Sequence, residues 1–304
     1  MTSLHFGPLV LGGNVFGWTA DCDTSFALLD AFVDAGGVAI DTADVYSAWV
    51  PGNRGGESET IIGEWLRARG NRERVELATK VFQHPERPGL SAANIRAAVD
   101  DSLSRLQSDY IDLYYAHRDD PEVAQSEYLA AFDELVRAGK VREIGASAFR
   151  ADRLASAVQF ANENGMSAFS VSQDHYNLVE RDYETELRET VMENGLVEIP
   201  FWSLASGFLT GKYRPGVQVD SVRADAAGRY LDRPGSAELL TTLDEIAAAH
   251  RCSVTAVSLA WLRQQPSIAA PLASARNVEQ LQDLIESFGL ELSRSELEAL
   301  SALG

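Results

Sequence analysis

The chain has 304 residues, 45% of them hydrophobic, and a formal net charge of -19. This length and apolar content can bury a large core, and they suit one α/β barrel, which needs roughly 250 residues. The acidic balance argues against a nucleic-acid partner or an anionic membrane, because both are bound through basic surfaces.

The N-terminal residues lack a basic segment followed by a long apolar run, so no signal peptide is predicted. No apolar stretch approaches the roughly 20 residues of a membrane-spanning helix. The two cysteines, Cys22 and Cys252, are too few for a disulfide framework and show no metal-ligand spacing. We therefore expect a cytoplasmic protein without a metal site. The sequence does not indicate its oligomeric state.

Short runs of apolar and β-branched residues recur along the chain, with helical patterns between them. Several runs are apolar throughout, as is typical of parallel strands that are buried on both faces. The eight predicted strands are Leu9–Leu11, Val38–Ile40, Val75–Thr79, Tyr110–Ala116, Val141–Ala146, Ala168–Ser172, Leu196–Phe201 and Ile268–Leu272.

The intervening segments carry helical periodicity, most clearly in Ser91–Gln107 and Asn277–Ser287. A long stretch without a clear pattern, Trp202–Gly235, follows the seventh strand, and loops of this length are usually functional or mobile. Two more helices, Ser236–His250 and Ser253–Gln264, precede the eighth strand.

Helix starts are marked by capping residues near the C-terminus. Asn277 with Gln280, and Ser293 with Glu296, each have the spacing of a capping box.

Eight strand-then-helix units predict either a closed (β/α)₈ barrel or a doubly wound sheet. The glycine fingerprint of a dinucleotide-binding doubly wound sheet is missing after the first strand. No linker or repeat divides the chain, so we expect one (β/α)₈ barrel domain over residues 1–304, with extra helices and a long loop after the seventh strand.

Polar residues follow successive predicted strands. Asp41 ends the second, Lys80 the third, His117 the fourth, Ser147 the fifth and Gln173 the sixth. In a barrel these positions meet on one rim, the C-terminal face where active sites lie. Each residue taken alone also has an ordinary structural explanation, such as a solvated loop charge or a packed histidine. Their joint occurrence on one rim favours a catalytic site.

Tyr46, five residues beyond Asp41, completes a set suited to carbonyl reduction. A reduced carbonyl needs an acid beside its oxygen, and a phenol has a reference pKa near 10. A close ammonium, here Lys80, should lower that pKa, and the Asp41 carboxylate should keep the Lys80 charge in place. A neutral imidazole from His117 could orient the carbonyl by a second hydrogen bond.

The sequence resembles the aldo-keto reductases at these residues. Asp41–Tyr46, Thr79-Lys80 and Ala116-His117-Arg118 are similar to that family's catalytic tetrad pattern. Further similar motifs follow in family order across nearly the whole chain: Leu11-Gly12-Gly13, Gly55–Glu59, Gly207–Tyr213 and Ser274–Arg276. The resemblance implies an NADPH-dependent reductase of aldehydes or ketones.

The same resemblance implies that NADP(H) lies across the barrel rim. It assigns Ser147 and Gln173 to the nicotinamide amide, and Phe201 to the aromatic residue that stacks on the nicotinamide ring. The remaining implied contacts are Leu204, Gly207 and Lys212 at the pyrophosphate, and Ser274, Arg276 and Gln280 at the adenosine 2′-phosphate. The last assignment has physical support, because Arg276 directly precedes a predicted helix N-terminus, where phosphate binds favourably.

Three positions depart from the family pattern. Ala148 stands where an Asn usually follows Ser147, which removes one amide contact to the nicotinamide. Trp202 directly follows Phe201, so either ring could stack on the cofactor. Leu284 occupies the position of an Asn that usually contacts the adenine. These changes concern cofactor affinity more than the type of reaction.

Trp18 and Trp49 fall in the loops after the first and second strands, where they are candidates for the substrate pocket wall or for core packing. The histidines outside the tetrad, His84, His175 and His250, are expected to have local structural roles or to face solvent. The aromatic residues near the rim favour an apolar or aromatic carbonyl substrate, and no nucleic-acid or membrane partner is expected.

Two other functions remain compatible with the residues. Lys80 could form a Schiff base in a barrel isomerase or lyase, although this leaves Tyr46 and Arg276 without a role. Alternatively, the barrel could bind NADP(H) with little turnover and regulate a partner as a redox sensor. Oxidation of NADPH by a panel of carbonyl compounds distinguishes these possibilities.

Overall fold

The computed structural model describes residues 2–304, and its strands form one parallel sheet in the order β7-β6-β5-β4-β3-β2-β1-β8. The strands β1 to β8 are, in chain order, Val10–Gly12, Ala39–Asp41, Glu76–Val81, Ile111–Ala116, Val141–Ser147, Val171–Gln173, Val197–Glu198 and Leu272–Ala273. Each strand from β1 to β6 pairs with the next strand in sequence, and β1 also pairs with β8.

The sheet closes between β7 and the segment that leads into β8. Glu198 forms a parallel bridge with Ile268, and its backbone carbonyl accepts from the N–H of Ala269 at 2.9 Å. Pro200 donates no N–H, but its carbonyl accepts from Leu272 at 3.0 Å. These contacts complete the predicted (β/α)₈ barrel.

Helices alternate with the strands. The helices α1 to α11 are Cys22–Asp34, Glu57–Arg69, Ala92–Leu106, Gln125–Arg137, Ala151–Glu163, Glu186–Glu193, Ala224–Leu231, Ser236–His250, Val254–Arg263, Val278–Ile285 and Arg294–Ser301. Short 3₁₀ turns occupy Arg72–Arg74, Asp182–Glu184 and Ala205–Thr210.

The core has two parts, as expected for strands that are buried on both faces. A small apolar cluster fills the barrel, where Phe6 covers the end at which the strands begin, and Leu113 and Tyr115 point inward from β4. A much larger cluster packs the outer face of the sheet against the helices, and Tyr114 and Ala116 of β4 belong to it. The alternation along β4 thus places its side chains on the two faces in turn.

The order and type of the predicted elements are confirmed, and their bounds differ by a few residues. The largest correction lies in Trp202–Gly235, predicted without regular structure, which contains a 3₁₀ turn and helix α7. The predicted seventh and eighth strands are longer than the two-residue ladders observed there.

One of the two predicted capping boxes forms completely. Ser293 and Glu296 bond reciprocally at the start of α11. At the start of α10, Asn277 caps the N–H of Gln280, but the Gln280 side chain accepts from the backbone of Arg276 at 3.1 Å. The capping box predicted there is therefore wrong in one of its two bonds, since Gln280 does not bond back to the N–H of Asn277. The bond from Arg276 to Gln280 ties Arg276 to the first turn of α10.

Candidate active site

The four tetrad candidates meet at the C-terminal end of the barrel. Asp41 is the last residue of β2, Lys80 is the last but one of β3, and His117 directly follows β4. Tyr46 reaches the same place from the loop between β2 and α2. The backbone N–H of Asp44 donates to the carbonyl of Lys80 at 3.2 Å, which fixes this loop against β3.

Lys80 is the centre of the group. Its ammonium donates to the Asp41 carboxylate, to the backbone carbonyl of Thr42 at 2.8 Å and to the Tyr46 hydroxyl at 3.5 Å. Both Lys80 and Asp41 are buried. Burial disfavours the charged form of a lysine, but the Asp41 carboxylate and Tyr46 outweigh it and raise the pKa of Lys80. Lys80 is therefore an ammonium at neutral pH.

The pKa of Tyr46 differs in direction from the sequence prediction. Burial raises it and the Asp41 charge adds to the increase, while the Lys80 ammonium acts in the expected direction and lowers it. The net direction is upward, so the predicted lowering by Lys80 is present but does not prevail. Tyr46 thus holds its proton at neutral pH, while its half-buried ring stays accessible from the barrel mouth.

His117 is neutral at physiological pH. Burial, followed by the charges of Lys80 and Arg118, holds the pKa of the imidazole well below its usual value. Its Nδ1 is buried and has no hydrogen-bond partner in the described part of the chain. The ring lies edge-on to Tyr46, with centroids 6.0 Å apart.

A second carboxyl, Asp44, lies behind the tetrad, and no sequence pattern indicates a role for it beyond its place in the Asp41–Tyr46 motif. Both of its carboxyl oxygens are buried without a partner among the described residues. Its neighbour Glu59 is ionically paired with Arg105 and accepts from Thr79 at 2.6 Å. Burial, together with the Glu59 charge, raises the pKa of Asp44 to about 8.

An aromatic row runs outward from the tetrad along one side of the barrel mouth. Tyr46 packs edge-on against Trp49 at 5.7 Å, and Trp49 packs edge-on against Trp18 at 5.8 Å. Trp49 remains 47% exposed. The two tryptophans therefore continue the surface that Tyr46 and His117 begin.

Ser147 and Gln173 stand side by side at the ends of β5 and β6, where they are in register. The Gln173 side chain donates to the second carboxylate oxygen of Asp41 at 3.1 Å, which links it directly to the tetrad. Ala148, beside Ser147, has a φ of 52°. This left-handed conformation is unusual for alanine and is better tolerated by glycine or asparagine.

Phe201 and Trp202 are placed differently. Phe201 packs against the apolar cluster inside the barrel and stacks on His175, with centroids 5.6 Å apart and rings 12° from parallel. Trp202 is 57% exposed and meets His175 edge-on. His175, expected to be structural or solvent-facing, thus supports the ring of Phe201.

Leu204, Gly207 and Lys212 belong to the segment that follows β7. Gly207 has a φ of 97° within the 3₁₀ turn, which only glycine adopts readily. Ser258 of α9 donates to the backbone carbonyl of Leu209 at 3.0 Å and anchors the turn. Lys212 follows the turn and remains exposed.

Ser274 and Arg276 follow β8. Ser274 donates to Asn14 at 2.6 Å, which connects the loops after β8 and β1. Arg276 is half-buried beside the N-terminus of α10, where the Gln280 side chain accepts from its backbone. Leu284, further along α10, is buried in the outer core, so its side chain faces the barrel instead of solvent.

Arg223 is a third cation in this region, and no sequence pattern indicates it. The pKa of Arg223 is lowered by burial and by the charge of Arg276. The pKa of Lys212 is lowered by partial burial and by the charges of both arginines. Within residues 2–304, none of these three side chains forms an ion pair with a carboxylate. Arg223 directly precedes α7, in a stretch where the sequence shows no repeating pattern. Lys212, Arg223 and Arg276 are called the cation cluster below.

The sequence profile described as "Aldo/keto reductase family" matches residues 8–304. The chain belongs to the aldo/keto reductase family.

Curated relatives cover nearly the whole chain. It is 31% identical to the aryl-alcohol dehydrogenase GME11368 of Pestalotiopsis microspora, over 98% of this chain and 79% of the relative. It is 33% identical to the norsolorinic acid reductase stcV of Emericella nidulans, over 98% and 78%. It is 30% identical to an aryl-alcohol dehydrogenase [NADP(+)] of Phanerodontia chrysosporium, over 98% and 82%. These relatives support an oxidoreductase that acts on carbonyl or alcohol groups.

Two further histidines of this aldo/keto reductase make local contacts. His250 pairs with Glu296 at 2.8 Å, and the His84 ring accepts from the backbone of Glu86 at 3.3 Å. Across residues 2–304, no group of three or more His, Cys, Asp or Glu side chains is arranged to hold a metal ion. In the same residues no helix is both long enough and apolar enough to cross a membrane.

Proposed function

We propose that this protein transfers hydride from NADPH to the carbonyl carbon of an aldehyde or ketone, with Tyr46 as the proton donor. The observation that carries the proposal is the position of the Lys80 ammonium. It bonds to Asp41 and lies 3.5 Å from the Tyr46 hydroxyl at the accessible end of the barrel. This arrangement connects an acid that holds its proton to a fixed positive charge.

The residues at the barrel mouth fit NADP(H). The cation cluster lies in a protein of net charge -19, yet no described carboxylate pairs with it. Unpaired cations, with Arg276 directly before the N-terminal cap of α10, suit a phosphate monoester such as the 2′-phosphate. Ser147 and Gln173 offer polar groups for the nicotinamide amide. Phe201, held by His175 against the barrel interior, is better placed than the exposed Trp202 to stack on the ring. Leu204, Gly207, Ser274 and Gln280 complete the proposed contacts.

Bound NADPH would supply the hydride. The side chains of the barrel mouth would supply the proton and the hydrogen bonds to the carbonyl oxygen. Tyr46 holds its proton at neutral pH and can donate it when the carbonyl oxygen gains negative charge. The neutral imidazole of His117 can donate a second hydrogen bond to the same oxygen. Because the ring is not an imidazolium, it does not replace Tyr46 as the proton donor.

Lys80 and Asp41 act on Tyr46 and not on the substrate. The phenolate left after proton donation is stabilised by the ammonium of Lys80, which lies within reach of its oxygen. Asp41 keeps this ammonium charged and fixed in place. The protonated state of Lys80 disfavours it as a Schiff-base nucleophile, since an ammonium has no free electron pair.

An aromatic aldehyde or aryl ketone is the substrate class that the pocket supports best. Trp18 and Trp49 extend from Tyr46 as a row of edge-on rings, which forms an apolar wall beside the proposed proton donor. Aromatic rings pack favourably in this geometry. Relatives named aryl-alcohol dehydrogenase and norsolorinic acid reductase are consistent with this choice.

The proposal also includes a cytoplasmic location and one functional unit over residues 1–304. The proposed location rests on the two cysteines, which are both free and too few for a disulfide framework, as is usual in a reducing compartment.

The direct test is NADPH oxidation by the purified protein, measured with benzaldehydes, aryl ketones, aliphatic aldehydes and dicarbonyls. Turnover with NADPH, fastest with an aromatic carbonyl, is expected. Tight NADPH binding without turnover on any substrate would instead support a redox-sensing role. No binding of NADPH would contradict the proposal.

A further inference from the structure

Two carboxyl groups lie together behind the strand ends that are proposed to bind the nicotinamide. Asp174 directly follows β6, and Glu198 is the second residue of β7. Both are buried, and neither forms an ion pair with a described Lys, Arg or His. Two buried carboxylates without a cation would repel each other strongly, so at least one of the two is expected to hold a proton.

The hydrogen bonds around the pair are well defined. The backbone N–H of Asp174 donates to Oε1 of Glu198 at 2.7 Å, and the Ser172 hydroxyl donates to Oδ2 of Asp174 at 2.7 Å. Oε2 of Glu198 is buried and accepts no hydrogen bond from the described residues. An ionised carboxylate buried with a bare oxygen is costly, whereas a protonated one carries its own donor there.

Burial and the neighbouring titratable groups both favour one protonated carboxyl in the pair. Burial raises the pKa of Asp174 to about 7, and burial with the Asp174 charge raises that of Glu198 well above its usual value. The titratable groups that face the pair from other elements are Tyr115 of β4 and Tyr183 of the 3₁₀ turn Asp182–Glu184. Burial raises the pKa of both phenols, so they stay neutral and supply no compensating charge.

The pair is connected to the proposed nicotinamide site through the backbone. Asp174 directly follows Gln173, and its backbone carbonyl accepts from the N–H of Phe201 at 2.9 Å. The carbonyl of Gln173 accepts from the N–H of Ala148 at 3.1 Å, and that N–H also stabilises the Asp174 carboxylate. Gln173 and Phe201, which are proposed to contact the nicotinamide, thus lie at the ends of β6 and β7, next to Asp174 and Glu198.

We propose that one of Asp174 and Glu198 keeps its proton and that the two act as a positioning pair for the nicotinamide subsite, so that losing this proton weakens binding of the nicotinamide half of the cofactor. The proposal rests on the function proposed above. Neither carboxyl touches the reacting atoms; both act through the backbone that carries Gln173 and Phe201.

Loss of the proton changes the charge of the pair. When the retained proton is released to solvent, two negative charges remain in a site without a cation, and the ends of β6 and β7 separate or admit water. Because the Gln173 and Phe201 positions are set by those ends, stacking and amide binding both weaken. The cation cluster lies in other segments of the chain and is not expected to respond.

The test is the dissociation constant of NADPH, measured by fluorescence titration of the full-length protein between pH 7 and pH 9. Adenosine 2′,5′-bisphosphate is titrated in parallel, because it carries the 2′-phosphate but no nicotinamide. For the wild type we expect NADPH binding to weaken by at least threefold across this range, while binding of the bisphosphate stays constant.

Glu198→Gln keeps the size and hydrogen-bonding capacity of the protonated acid but cannot ionise. It should bind NADPH at pH 7 within a factor of two of wild type and remove most of the pH dependence. Asp174→Asn is the second variant, with the same expectation. Glu76→Gln is the matched control, since the pKa of Glu76 is also raised to about 7 but its side chain lies at the opposite end of the barrel. It should keep the wild-type profile.

The outcomes are separable. If the wild type binds no NADPH at any pH, the proposed function fails. If it binds NADPH with the same affinity from pH 7 to pH 9, or if Glu198→Gln retains the wild-type dependence, the positioning role is wrong and the reductase proposal stands. Equal pH dependence for NADPH and the bisphosphate would place the sensitivity at the phosphate and also overturn the pair's role. Should either variant fail to fold, the wild-type comparison of the two ligands decides.

Discussion

The Nζ atom of Lys80 lies 3.5 Å from the hydroxyl oxygen of Tyr46, and the same ammonium is bonded to Asp41. This relationship joins residues from β2, β3 and the loop between β2 and α2. It opposes the effect of burial, which otherwise raises the pKa of the Tyr46 phenol.

Replacing Tyr46 by Phe keeps the aromatic ring and removes the proton donor. The catalytic constant for carbonyl reduction should fall by at least ~10²-fold, the usual scale of general acid catalysis. NADPH binding should be retained, because Tyr46 is not among the proposed cofactor contacts. Steady-state rates with a benzaldehyde, together with a fluorescence titration of NADPH, measure both effects. Turnover within a few-fold of wild type would exclude Tyr46 as the donor.

Lys80 and Asp41 should act on Tyr46 as one unit. Lys80→Met removes the charge that lowers the Tyr46 pKa, so activity should drop and its alkaline limb should move to higher pH. Asp41→Asn should have a smaller effect in the same direction, because the ammonium remains. The double variant should be little worse than Lys80→Met alone, since Asp41 works through the lysine.

The double variant also serves as the stability control for this cycle. Lys80→Met by itself leaves the buried Asp41 carboxylate unpaired, which costs roughly 3–5 kcal/mol of folding free energy. The double variant removes both charges and should recover part of that loss. Values of kcat/KM for the wild type and the three variants complete the cycle, and fully additive losses would contradict a linked tetrad.

The cation cluster should determine the choice of cofactor. Arg276→Ala and Arg223→Ala should each weaken NADPH by about 1.5–3 kcal/mol, the range for hydrogen bonds to charged groups. NADH lacks the 2′-phosphate and should be affected much less. Arg214→Ala is a suitable control, because Arg214 lies close in sequence but is paired with Asp244. Equal weakening of NADPH and NADH would mean that the 2′-phosphate binds elsewhere.

The sequence predicted most of the fold because strand ends leave a clear pattern. Asp41, Lys80 and His117 each terminate an apolar run, and parallel strands bring such positions together. It could not predict Arg223, because that residue acts from a segment without periodicity. Nor could it predict the net pKa of Tyr46 or the pairing of Asp174 with Glu198, since both depend on how deeply the folded barrel excludes water.

Ala148 is the departure from the family pattern with the clearest physical cost. Its φ of 52° is unfavourable for alanine and well tolerated by asparagine. Ala148→Asn should relieve that strain and add one amide hydrogen bond to the nicotinamide, worth about 0.5–1.5 kcal/mol or roughly two- to tenfold in affinity. Ala148→Gly relieves the strain without adding an amide, so it should leave NADPH affinity unchanged. Equal affinity of the two variants would mean that no nicotinamide contact exists at this position.

Asp44 should make the stability of the protein depend on pH in a defined direction. Its pKa is about 8 in the folded protein and near 3.9 in an unfolded chain, because burial and Glu59 disfavour its ionised form. The folded state therefore holds a proton that the unfolded state releases. The resulting stabilisation is complete below about pH 4 and is lost as the pH rises to about 8.

Asp44→Asn removes this titration and keeps the shape of the side chain. The free energy of unfolding of the variant, relative to wild type, should therefore increase with pH between about 4 and 8 and level off above it. Urea denaturation of both proteins at pH 5, 7 and 9 measures the difference. Asp100→Asn is the control, because Asp100 is largely exposed and paired with Lys140 at the surface. An Asp44→Asn difference that is constant with pH would mean that Asp44 is already ionised in the folded barrel.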